Sequence, residues 1–110
     1  MAIESTLITN TDTTILSVPV SAQYAITSLM VCNYANTASS TSDSSFDMHL
    51  LKGSGAVKSD TNKVLNNISM PAQETFTFSL ERIVLDEGDS VVLVSADADK
   101  LTATISYLEV

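Results

Sequence analysis

Tryptophan is absent from this chain of 110 residues, and cysteine and histidine occur once each. One cysteine permits no intrachain disulfide, and a buried thiol serves as a small hydrophobe. Cys32 lies within the apolar run Leu29-Met30-Val31-Cys32, which fits that role. A single Cys and a single His leave zinc without a ligand set. Aromatics make up 5% of the chain, a poor supply for stacking sugars or bases. Gly-rich phosphate loops are missing as well. Basic residues number 5 against 13 acidic ones, a formal net charge of −8. That field repels phosphate backbones and anionic bilayers, so neither nucleic acid nor a membrane is an expected partner. No apolar run reaches membrane-spanning length. The start, Met1-Ala2-Ile3-Glu4, lacks a basic stretch leading into an apolar one. No signal peptide is expected, and synthesis in a cytoplasm is.

What is present is β-forming. Hydrophobic residues are 45% of the chain, ample for one core, and the length fits a single domain spanning residues 1–110. The polar share is 16 Ser and 13 Thr, with only 16% charged residues. Thr suits a pleated, half-exposed surface and Ser suits turns. Leu, Glu, Lys and Arg never hold helical spacing for more than a turn.

Alternation locates the strands. Phe76, Phe78 and Leu80 point one way against Thr75, Thr77, Ser79 and Glu81, and Leu101, Ala103, Ile105 and Tyr107 repeat the pattern against Thr102, Thr104 and Ser106. A period of two over such lengths means half-buried antiparallel strands. Earlier strands are expected at residues 6–10, 13–18, 24–34, 46–50 and 64–70, with Pro19 and Pro71 as stops. Residues 83–85 lead into the turn Asp86-Glu87-Gly88-Asp89, and residues 91–94 follow it. A polar loop covers residues 36–45, a second excursion residues 53–62, and a bend is expected near Glu81-Arg82. The expected fold is all-β: an antiparallel β-sandwich or jelly roll of about eight strands.

Chemistry-bearing residues are sparse. His49 and Asp47 share an outward face, a spacing that can orient a general base, yet no Ser or Cys sits in a nucleophile elbow. A surface histidine is the expectation. Asp86, Glu87 and Asp89, and Asp97 with Asp99, form two acidic clusters. Both fall short of the six to eight oxygens calcium wants, so turn-capping carboxylates are expected. Asn67-Ile68-Ser69 matches a glycosylation sequon, with no secretory route to use it. No catalytic residue, metal or cofactor is expected.

Residues 29–32 and 91–94 are apolar on both faces, and period-two counting along the first sets Ile26, Met30 and Cys32 on one side and Leu29 and Val31 on the other. That exceeds what a lone two-layer sandwich needs, so one face is expected to meet a neighbouring subunit. Leu29, Val31, Val91 and Leu93 are the interface candidates.

Four segments carry a resemblance. Val18-Pro19, a short gap and residues 24–33 are similar to a "VP" turn leading into a long apolar strand that ends in Cys-Asn. Ile68-Ser69-Met70-Pro71-Ala72-Gln73-Glu74-Thr75 resembles an "IPAGET" turn, with Gln73 in place of the usual Gly. Leu85-Asp86-Glu87-Gly88-Asp89-Ser90-Val91 is like "LEAGDSI", and Ile105-Ser106-Tyr107-Leu108-Glu109-Val110 is like a terminal "VSYLEI". In this order they resemble small β-sandwich virion proteins of tailed bacteriophages: head decoration proteins and neck or tail accessory proteins. The resemblance implies a non-enzymatic virion subunit, made in the bacterial host. It would assemble with itself, as a trimer by analogy, and with major capsid or tail proteins. The alternative is a carbohydrate-binding module on a phage tail fibre.

Overall fold

A strand with one apolar face needs a second layer to cover it. The computed structural model, which describes residues 2–35, 40–78 and 83–110, supplies that layer. Its strands are β1 (Ala2–Ile8), β2 (Thr13–Ser17), β3 (Tyr24–Asn33), β4 (Ser44–Leu51), β5 (Lys63–Met70), β6 (Thr75–Phe78), β7 (Ile83–Leu85), β8 (Ser90–Ser95) and β9 (Leu101–Glu109). A short 3-10 turn, Ser40–Ser42, precedes β4. Residues 36–39 of the polar loop, Ser79, Leu80 and the bend expected at Glu81-Arg82 lie outside the described residues.

All pairings are antiparallel. One sheet runs β1-β9-β3-β6, with β7 also on β3, and the other runs β2-β8-β4-β5. β6 pairs with residues 29–32 of β3 and β7 with residues 24–26, so the two act as one interrupted strand. Nine segments thus fill eight sheet positions. The chain crosses between sheets after β1, β2, β3, β5, β7 and β8, and β9 inserts between β1 and β3. This is jelly-roll connectivity, as expected.

The core lies between the sheets. Ile8, Ile26, Leu29, Val31, Leu101 and Ile105 of the first sheet meet Phe46, Met48, Val91 and Leu93 of the second, all at most 1% exposed. Phe46 and Phe76 meet edge to face across the layers, ring centroids 5.8 Å apart. Each such side chain contributes roughly 1.5–3 kcal/mol by leaving water.

Two expectations about faces change. The first concerns β3. Its ladder with β9 shifts register between Ile26 and Ser28, a bulge that inserts one residue and reverses the alternation beyond it. Ile26, Leu29, Val31 and Asn33 therefore all point inward, while Met30 and Cys32 point out. The second concerns β8. Val91 and Leu93 face the core, and Val92 on the opposite face is still only 3% exposed. Residues 52–62 explain it: they leave β4, bond Leu50 N–H to the Asn62 carbonyl at 3.0 Å, and reach β2's side through a 3.2 Å Lys58–Asp12 ion pair. In the order β2-β8-β4 that path crosses β8. The chain covers its own second face there. All four interface candidates, Leu29, Val31, Val91 and Leu93, are fully buried inside the protomer at 0% exposure.

The Pro-Ala-Gln turn keeps a glycine-like backbone without a glycine. Glu74 N–H bonds the Pro71 carbonyl at 3.2 Å, and Gln73 has φ 70°. A left-handed non-Gly residue costs about 1 kcal/mol. Gln73→Gly relieves that cost and forfeits part of the gain in backbone entropy. It is expected to raise stability by roughly 0.5 kcal/mol, a few degrees in melting temperature by calorimetry.

Candidate interaction surface

The first sheet has its inner face in the core, and register fixes what its outer face displays. Three rows cross it: Leu7-Thr102-Cys32-Thr75, Ser5-Thr104-Met30-Thr77 and Ile3-Ser106-Ser28. A fourth row, Leu108-Ala25-Val84, crosses its far end. Among the described residues not one of these positions is charged, in a chain of net charge −8. Ile3 is 69% exposed, Val84 53%, Leu7 45% and Met30 42%. Several of the hydroxyls between them bond one another. Ser28 and Thr27 reach Ser106 at 2.8 and 2.5 Å, and Ser5 reaches Thr104 at 3.0 Å. Among the described residues a partner covering this face would strip water from no charge, and Ser5, Ser28, Thr104 and Ser106 already have partners, which lowers the usual penalty for burying polar groups and leaves Thr75, Thr77 and Thr102 to meet it.

The rest of the surface is different in kind. Charges cluster on the second sheet's outer side and at the loops. Asp47 accepts the Asn67 N–H at 2.6 Å and lies 3.8 Å from Lys63, which also approaches Asp60 at 3.9 Å. His49, expected at the surface, is only 3% exposed, lying on the side of the sheet that residues 52–62 cross. Its Nδ1 meets Asn62 Oδ1 at 2.8 Å. Asn62 in turn accepts from the Ser59 N–H and donates to the Val57 carbonyl, so the imidazole helps hold the excursion down. His49 and Asp47 thus serve separate structural contacts.

The acidic turns are likewise bonded to distant segments of the chain. Glu87 accepts the Ser21 N–H at 2.7 Å, and Asp86 accepts from Gln23 Nε2 at 2.6 Å. Asp97 accepts from Ser44 Oγ at 2.9 Å. Among the described residues no three acidic, His or Cys side chains converge as a cation would require. A cleft of about 720 Å³ opens between Val18-Pro19-Val20, residues 53–56 and the 87–90 turn. Thr14, Ser17, Glu87 and Ser90 line it beside Gly53, Gly55 and Gly88.

At the end of the first sheet Tyr24 and Tyr107 stack with centroids 4.5 Å apart. Desolvation of the Tyr107 hydroxyl raises its pKa above the ordinary value, and Glu4 adds to the shift. Both rings lie on the inner side of the sheet, away from the charge-free face.

Sequence reasoning found the strands of this surface and missed the surface itself. Its outward residues are Thr and Ser on β9 and β6, which alternation did identify, and Ile3, Leu7 and Met30 beside them, which it did not. The available signal was the lack of any charge at outward positions of β1, β3, β6 and β9. Compared with models of known protein families and with curated proteins, the chain matches none.

Proposed function

We propose that this chain is a non-enzymatic structural subunit of a tailed-phage virion, a capsid decoration or neck and tail accessory protein that works by assembly with other virion proteins. The observation that carries the reading is the outer face of the β1-β9-β3-β6 sheet, which among the described residues displays no charge. The turns that bear the resemblance support it. Ala22 N–H bonds the Pro19 carbonyl, Glu74 N–H the Pro71 carbonyl and Asp89 N–H the Asp86 carbonyl, so all three segments form real turns. They link strands at the ends of the sandwich and leave the broad face open. The 52–62 excursion is bonded down over the second sheet, so the first sheet's outer face is the broad one left for docking on a larger assembly.

The test is cosedimentation with purified capsids and tails. Binding is expected for the native chain. It is expected to weaken at least tenfold in Met30→Lys, which places a charge at the centre of the face and should leave the melting temperature nearly unchanged. Absence of binding to either particle overturns the proposal, as does binding that Met30→Lys leaves intact. Electron microscopy of the virion then places the subunit on head, neck or tail.

A further inference from the structure

The four sheet edges are not alike. β2 is broken by a register shift between Thr14 and Leu16 and ends before Pro19. β5 carries two register irregularities and a left-handed Asn67 at φ 51°. β6 and β7 are short pieces of 4 and 3 residues. Such features keep an edge from pairing with another chain. β1 has none of them. It pairs with β9 over seven consecutive residues without a shift, contains neither Pro nor Gly, and among the described residues has no strand on its other side. Its outward positions are Ile3, Ser5 and Leu7.

We infer that two copies of this chain pair through β1, antiparallel about a two-fold axis at Ser5, to form one continuous sheet. The strand's own sequence selects that register. With Ser5 opposite Ser5 of the second copy, Ile3 faces Leu7, Glu4 faces Thr6 and Ala2 faces Ile8. Apolar residues meet on the outer face, and no carboxylate faces another. Centring the axis on Glu4 would set Glu4 against its own copy, in a chain already at net charge −8. Centring it on Thr6 would set Glu4 against Ile8 and leave Ile3 overhanging. The occupant is therefore a second copy of β1, since the strand is self-complementary in one register. An edge consumed this way closes as a dimer and cannot continue to a trimer. The two charge-free faces then lie side by side on one doubled sheet. The pairing concerns the free subunit and does not depend on the virion reading.

A contact of one strand is small, so association is weak, and sedimentation is run up to about 0.5 mM chain. A species of twice the 11.7 kDa chain mass is expected. Ser5→Lys sets two ammonium groups opposite each other and is expected to weaken dimerisation at least tenfold with an unchanged melting curve. The register is read by Cys scanning in a Cys32→Ser background. Facing residues of an antiparallel pair have Cα atoms about 4.5–5.5 Å apart, within disulfide range. Ser5→Cys is expected to cross-link to itself on mild oxidation. Two Ile3→Cys thiols would sit about 13 Å apart along the strand and are expected to stay reduced. A monomer or a trimer at every concentration overturns the inference, and so do equal cross-linking at the two positions and a Ser5→Lys dimer of native strength. A monomer that still binds capsids would overturn this pairing alone. A β1 dimer that binds no particle would overturn the virion reading alone.

Discussion

Asn33→Leu is expected to cost about 3 kcal/mol, lowering the melting temperature by roughly 15 °C. Asn33 is the inward residue at the end of β3 and is 1% exposed. Its Nδ2 donates to the Ser42 carbonyl at 2.8 Å and to the Met70 carbonyl at 3.0 Å, and its Oδ1 accepts the Ala35 N–H at 3.2 Å. One amide thus joins the end of β3, the loop entering β4 and the end of β5. Those segments belong to both sheets, so the amide ties the layers together at one end of the sandwich. Leucine has a similar bulk and neither donor nor acceptor. It would leave two carbonyls and an N–H without this partner, at about 1–3 kcal/mol for each group that water cannot reach. Asn33→Asp tests the same geometry by another route. It keeps the shape and points a carboxylate oxygen at two carbonyl oxygens, which raises the carboxyl's folded pKa above its unfolded value. The sign follows: the variant holds most stability in acid, while it stays protonated, and loses it as pH rises through the folded pKa. Denaturant melts at several pH values read both effects. An Asn33→Leu protein as stable as the native chain would show that the amide is not a tie.

The strands were legible because alternation is a local property. β9 and β6 show it without interruption, and Phe76, Phe78, Leu101, Ala103 and Ile105 all face inward as their spacing implies. The length of β3 was legible too, bounded by Tyr24 and Asn33. Its facing was not, because period-two counting assumes an unbroken ladder, and one bulge between Ile26 and Ser28 exchanges Leu29 and Val31 for Met30 and Cys32. Val92 misled for a different reason. An apolar residue on the second face of a strand says that something covers it, and residues 52–62 of the same chain do so as well as a neighbour would. The charge-free face was the least legible feature. It joins β1, β3, β6 and β9, and their adjacency is a matter of topology. No window of sequence contains it.

Asp89→Ala is expected to destabilise the protein by about 3 kcal/mol and to loosen the 52–62 excursion. The aspartate closes the turn before β8 and is 7% exposed. Its Oδ2 accepts the Asp86 N–H at 3.0 Å, and its Oδ1 accepts the Gly53 N–H at 2.8 Å. The first bond shapes its own turn, and the second pins the start of an excursion 36 residues away in sequence. Backbone bonds reinforce the site: Val18 N–H to the Asp89 carbonyl and Gly88 N–H to the Val18 carbonyl, each 3.0 Å. Gly88 shows how closely the turn packs on the excursion. At φ 85° it needs the left-handed region, and a Cβ there would meet the Ser54 nitrogen at 3.0 Å. Bonds to a charged acceptor contribute about 1.5–3 kcal/mol each, so losing two sets the size of the expected loss. Asp89→Asn separates charge from shape, because its amide can accept from only one of the two N–H groups and turns a donor on the other. It is expected to recover no more than half of the loss. Hydrogen exchange gives the local reading. In Asp89→Ala the amides of Gly53 and Ala56 should lose protection by more than the global destabilisation explains, while those of Leu50 and Asn62 follow the global change, because the excursion is released at one end while His49 and Asn62 still hold the other. If protection falls equally across the sandwich, the carboxylate stabilises the fold without anchoring residues 52–62.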